Sequence, residues 1–200
     1  MEDVIKIKSK WLVGISIGFL IRISNSALAL NPIEICSLEK NKTVDQGYMC
    51  QVETSTGNVF WQLDTKTTSG KMVWRDLKSN FLVSDILDEK YTHYQAKDIC
   101  TDNSSLEARG NLTTVNWGLP SGYPKVLNGK KGFPDKDSDF ETLEANGIRK
   151  VIDTSGRYFW SSSVHPSGYS YYAFVFDGNY GTIDYYGRAY YYGSVLCIGR

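Results

Sequence analysis

Hydrophobic positions are grouped into short runs whose period changes along the chain. The runs "VFWQLD" (59–64) and "KMVW" (71–74) are aromatic and β-branched, and the polar turn "TKTTSG" separates them. They predict two strands. "DEKYTHYQAKDIC" (88–100) shifts to helical spacing, with Ala96 and Ile99 inward. "FETLEANGI" (140–148) predicts a second helix, with Asp139 as N-cap and Asn146-Gly147 as its stop. Between the two lies "NWGLPSGYPKVLNGKKGFPDKDS" (116–138), a long irregular region rich in Gly and Pro. Beyond Val151 the pattern is β again: "RYFWSSS", "YYAFVFD", "GTIDYY" and "SVLCI", with "DGNYG" as a tight turn. In "YYAFVFD", Tyr172, Phe174 and Phe176 share one face and Ala173 and Val175 the other. Both faces are apolar, which predicts a central strand covered on both sides. Strands, two helices and closing strands make an α+β domain with an antiparallel sheet.

The first residues belong to a different pattern. Lys6, Lys8 and Lys10 precede the apolar run "WLVGISIGFLI" (11–21), and "SNSALA" follows with small residues at Ala27 and Ala29. These are the three regions of a secretory signal, predicted to span 1–29. The run is short of the about 20 residues that cross a bilayer, so no stable membrane span is expected after cleavage. The expected locations are periplasm, cell surface or the medium. Basic and acidic residues number 22 each, which removes any electrostatic case for nucleic acid.

Export makes the four cysteines readable. An even number in an exported chain predicts disulfides, and four cysteines allow three pairings. Cys36 and Cys50 flank the polar stretch "SLEKNKTVDQGYM", read as a hairpin or loop. Joining them leaves Cys100 with Cys197. Residues 30–56 are then an N-terminal extension with a disulfide-closed hairpin, and 57–200 the main domain. No C-x-x-C occurs, and His93 and His165 lack ligand spacing to any cysteine, so neither metal nor cofactor is expected.

The segment 169–197 holds neither lysine nor glutamate, and ten of the 14 tyrosines fall between Tyr158 and Tyr192. Tyrosine brings large, rigid contact area and a hydroxyl; Ser, Gly and Asn bring adaptable contacts. Antibody paratopes use this mixture. Strand phase makes Tyr172 a buried residue. Tyr185, Tyr186, Tyr190 and Tyr191 lie near glycines at turns or strand ends, where they are expected to reach solvent. Trp117 and Trp160, each in a short motif, are expected in the core.

"NWGLPS" (116–121), "FWSSS" (159–163) and "VLCIGR" (195–200) occur in order after a helix ending in Cys100. Over 57–200 the chain thereby resembles the Lcl-type C-terminal domain, a bacterial family of C-type-lectin-like fold found in exported adhesins. Trp160 to Ser163 match its W-S-S-S; Gly118 and Leu196 stand where the family carries arginines. The resemblance implies a bridge from the first helix to the last strand, in agreement with Cys100–Cys197. It also implies that the C-terminal strands and loops face the ligand. Some relatives are diversity-generating variable proteins. On that pattern the displayed set is Tyr169, Ser170, Tyr171, Asn179, Tyr180, Asp184, Tyr185, Tyr186, Tyr190, Tyr191 and Tyr192. The implied partner is a protein or glycan on another cell or surface.

Other chemistries fit less well. The fold also houses formylglycine-generating enzymes, which need an active-site cysteine pair, and here all four cysteines are assigned to structure. Ser161 to Ser163 and His165 are close in sequence, but no G-x-S-x-G accompanies them. Asp135, Asp137 and Asp139 alternate in "PDKDSD" without the Gly and closing Glu of a calcium loop. The expected class is a binding protein, not an enzyme, with a structural subunit of a surface assembly as the alternative.

Overall fold

A run of alternating burial opens the fold. In the computed structural model, which describes residues 33–66, 70–102, 115–125, 132–166 and 171–200, the strand β3 (Gly57–Lys66) buries Val59, Trp61 and Leu63 on one face. It pairs antiparallel with β2 (Met49–Thr54) and β4 (Met72–Asp76), and β4 pairs with β5 (Leu82–Ser84). The other elements in chain order are β1 (Glu34–Ile35), α1 (Leu38–Asn41), α2 (His93–Thr101), β6 (Trp117–Gly118), α3 (Asp139–Ala145), a 3-10 turn (Ile148–Lys150), β7 (Tyr158–Val164), β8 (Tyr172–Asp177), β9 (Thr182–Gly187) and β10 (Ile198–Gly199). Among the described residues, seven strands form one sheet in the order β1-β2-β3-β4-β5-β10-β6, and β7-β8-β9 form another. The architecture is α+β, mostly sheet. Among the described residues no helix is long and apolar enough to cross a membrane.

The three-stranded sheet separates two apolar clusters. Phe159, Phe174, Phe176 and Ile183 face the first, with Trp61, Phe140 and Leu143. Trp160, Ala173 and Val175 face the second, with Trp117, Cys100 and Cys197. β8 is therefore covered on both sides, as its two apolar faces predict. Trp160 is fully buried and donates its indole N–H to the Tyr91 carbonyl at 2.7 Å. Trp117 is buried as expected.

Both disulfides are present, Cys36–Cys50 and Cys100–Cys197. The first does not close a hairpin. β1 runs parallel to β2, and α1 makes the crossing between them. Asn41 at the end of α1 is buried and donates to the Val151 carbonyl at 3.0 Å, so the crossing is anchored from far along the chain. Cys36, Cys50 and Val52 pack in the same cluster as Trp61 and Val151, and residues 33–200 form one compact unit.

Helix starts are decided by caps. α2 begins at His93, five residues later than its sequence pattern predicts. Thr92 and Gln95 form a reciprocal capping box there. Its buried side chains are His93, Ala96 and Cys100, while Ile99 is half-buried. The N-cap of α3 is Ser138, which accepts from the Glu141 N–H at 3.3 Å; Asp139 is the first helical residue. Its carboxylate is engaged elsewhere, with the Ser121 N–H at 2.6 Å and the Arg200 guanidinium. Gly147 ends α3 at φ +79°, and a Cβ there would lie 2.3 Å from Val52 Cγ1. Only glycine satisfies both the left-handed backbone and that approach. The predicted strand "SVLCI" is mostly irregular. Its ladder covers Ile198 and Gly199, while Cys197 N–H donates to the Ser84 hydroxyl at 2.9 Å in place of a backbone carbonyl.

Candidate binding surface

The tyrosines are presented by β8, β9 and the loop that follows β9. Tyr172 pairs with Gly187 across the two strands. A glycine partner has no side chain to cover it, so Tyr172 is 37 % exposed, contrary to the burial its strand phase predicts. Its ring meets Tyr185 edge-on at 5.6 Å. His165 packs against Tyr185 and Phe174.

The loop after β9 is held against the N-terminal end of α2. His93 N–H donates to the Arg188 carbonyl, and Tyr91 and Gly193 exchange both backbone hydrogen bonds at 2.9 Å. Arg188 Nε donates to His93 Nδ1 at 3.1 Å, which leaves the ring proton on Nε2, facing the Ser161 carbonyl at 3.0 Å. Burial, then the Arg188 charge, pushes the His93 imidazole down to about 4. The Arg188 guanidinium also lies 4.5 Å from the centre of the Tyr94 ring, a cation–π contact. Its backbone N–H donates to the Tyr171 carbonyl at 2.7 Å.

This clamp divides the loop tyrosines. Tyr191 is half-buried, stacked on Tyr186 at 4.1 Å and edge-on to Trp160 at 5.7 Å. Tyr158 closes the group at 5.5 Å from Tyr186. Desolvation, then the charge of Asp184, pushes the Tyr186 phenol up to about 12, and burial likewise raises Tyr191. Tyr185, Tyr186 and Tyr191, all expected at the surface, are thus half-buried supports. Tyr190 and Tyr192 project outward, 88 % and 56 % exposed. Tyr171 (72 %) and Tyr94 (49 %) are exposed as well and meet Arg188 through a backbone carbonyl and a ring face respectively.

The remaining predicted positions lie apart from that group. Asn179 and Tyr180 occupy the β8–β9 turn, at the other end of the six-residue β8, which at strand rise puts them about 17 Å away. Tyr180 is exposed, while Asn179 accepts the Gly156 N–H at 2.7 Å. Asp184 lies on β9, half-buried, and accepts the Tyr185 N–H at 2.8 Å. Tyr169 and Ser170 lie outside the described residues, as do the predicted signal residues 1–29. Sequence reasoning missed Tyr94 and Arg188. A helix position and a lone arginine carry no local signal of sharing a surface with β8.

The serine run is structural. Ser161 Oγ donates to the Gly122 carbonyl at 3.0 Å, and Ser163 Oγ accepts the Gly122 N–H at 3.1 Å. Asp135 and Asp139 do not converge, because Asp139 faces Ser121 and Arg200 while Asp135 Oδ1 accepts the Asp137 N–H.

Two clefts lie elsewhere on the molecule, and neither is lined by any tyrosine. No protein-family model, curated protein or solved structure matches this chain.

Proposed function

We propose that this chain is an exported binding protein of C-type-lectin-like architecture. Its tyrosine surface recognises a protein or glycan ligand on another cell or surface. The observation that carries this reading is the exposure of Tyr171, Tyr190 and Tyr192 on segments held by the Arg188 clamp, beside Tyr94 under the Arg188 guanidinium. Large aromatic area left in water on a clamped backbone is costly to expose without a partner and loses little entropy on binding. Both disulfides support an oxidising destination, and they leave no cysteine for formylglycine-type catalysis.

Single Tyr171→Ala, Tyr190→Ala and Tyr192→Ala variants test the proposal, scored against glycan and protein arrays and by melting temperature. Each exposed truncation is expected to change stability by no more than about 0.5 kcal/mol. At least one is expected to weaken binding about 30-fold, the size of a hot spot. Binding retained by all three variants removes the surface from recognition. If the tyrosines instead join subunits of an assembly, sedimentation of the wild type will show a defined oligomer that Tyr190→Ala dissociates.

A further inference from the structure

A cleft of about 390 Å³, distinct from the tyrosine surface, opens between α1, the start of β4 and residues 151–157. Its apolar lining includes Leu38, Met72, Trp74, Ile86 and Ile152, of which Trp74 is fully buried. Its size is within the range of small-molecule sites. Three acids and three bases also line it, and they differ in how they are satisfied. Asp88 pairs with Lys71 Nζ at 2.5 Å, and Lys71 also donates to the Ile86 carbonyl at 3.0 Å. Asp85 accepts the Ile86 N–H at 2.8 Å and the Met72 N–H at 3.4 Å. Asp153 accepts the Ser155 hydroxyl at 2.5 Å and its N–H at 3.2 Å. Those bonds first, and then the charges of Lys42 and Arg157, hold its carboxyl below the usual range.

Lys42 and Arg157 therefore act on Asp153 only through space. Among the described residues neither side chain has a hydrogen-bond partner or an ion pair. The other cleft, about 510 Å³, differs in this respect. There Arg149 donates to both carboxylate oxygens of Glu144, and Lys150 donates to the Glu53 carbonyl. Two uncommitted cations beside an apolar floor match a ligand with an anionic group on an apolar body. The guanidinium fork and the ammonium take the oxygens, and the body lies on the floor.

We infer that this cleft binds a small amphiphilic anion, an aromatic phosphate or carboxylate, with its anionic group between Lys42 and Arg157 and its body over Trp74 and Ile86. Chemical-shift titration of the purified protein tests it with four probes: phenyl phosphate, benzoate, inorganic phosphate and benzyl alcohol. Phenyl phosphate or benzoate is expected to shift the amides of Lys42, Ile86 and Asp153 saturably below about 10 mM, and the stronger of the two identifies the anionic group. Inorganic phosphate and benzyl alcohol, each half of the ligand, are expected to bind at least about tenfold more weakly. The double variant Lys42→Gln/Arg157→Gln is expected to weaken binding at least about tenfold at unchanged melting temperature. Lys42→Gln alone, at an exposed position, repeats the test should the double variant be unstable. The inference is overturned if neither aromatic anion gives saturable shifts in the cleft, if binding survives the substitutions, or if inorganic phosphate binds as tightly as the aromatic anions.

Discussion

At Trp160 one side chain serves two structures. Its indole fills the second cluster, its N–H holds the Tyr91 carbonyl, and its ring supports Tyr191 beneath the exposed tyrosines. Trp160→Ala should cost about 3–5 kcal/mol in a denaturant titration, since it opens a cavity in the second cluster. An unchanged midpoint would place the indole in solvent. His93 is the second such residue. Its imidazole takes up a proton at about 4 in the folded chain and near the ordinary 6.5 when unfolded. Between those values the unfolded state binds more protons, so stability rises with pH. The contribution is complete above about 6.5, is lost as pH falls towards 4, and amounts to roughly 3 kcal/mol. The stability difference between the wild type and His93→Gln should therefore shrink as pH falls through that window. A difference that stays constant would mean that Arg188 and the burial of the ring do not hold it neutral.

Elements begin and end here where a specific atom satisfies the backbone. The Thr92–Gln95 box starts α2 and thereby sets where the tyrosine loop attaches. Thr92→Ala should cost about 1 kcal/mol by thermal melting. Gly147→Ala should cost more, at least about 2 kcal/mol, because left-handed strain adds to the collision with Val52. Equal effects of the two substitutions would show that the turn after α3 does not press on β2. At this scale the sequence was informative about periodicity and less so about limits. The β8 alternation correctly placed a central strand with two apolar faces. It misjudged Tyr172, whose exposure depends on a glycine in the neighbouring strand. The α3 cap moved from Asp139 to Ser138 because Arg200, distant in sequence, takes up the aspartate.

Across the whole molecule the two bridges close loops of very different size. Cys100 and Cys197 are separated by 97 residues, Cys36 and Cys50 by 14. Chain entropy assigns about 4.7 kcal/mol to the longer and about 3 kcal/mol to the shorter. Removing the longer bridge by a double Cys→Ala variant should thus lower stability more than removing the shorter, compared by urea unfolding. The reverse order would show that the N-terminal crossing, anchored by Asn41 on Val151, carries more of the core than loop closure alone.

Local pattern was enough to predict the strands that carry Trp61 and Trp74, the two helices, the covered β8 and the core tryptophans. Each depends on the spacing of apolar residues, whereas the even cysteine count predicted bridges and left three pairings open. Tertiary structure alone decided the parallel β1–β2 crossing, the return of β10 between β5 and β6, and the sorting of the tyrosines. Tyr186 and Tyr191 became supports because they stack on each other and Tyr191 meets Trp160, whereas Tyr190 and Tyr192 have no ring partner among the described residues. Tyr94 and Arg188 joined the surface, and Tyr180 was left at the opposite end of β8. Which aromatic rings share a face depends on contacts between separate elements, such as Tyr191 with Trp160 and Arg188 with Tyr94, and no local period encodes those.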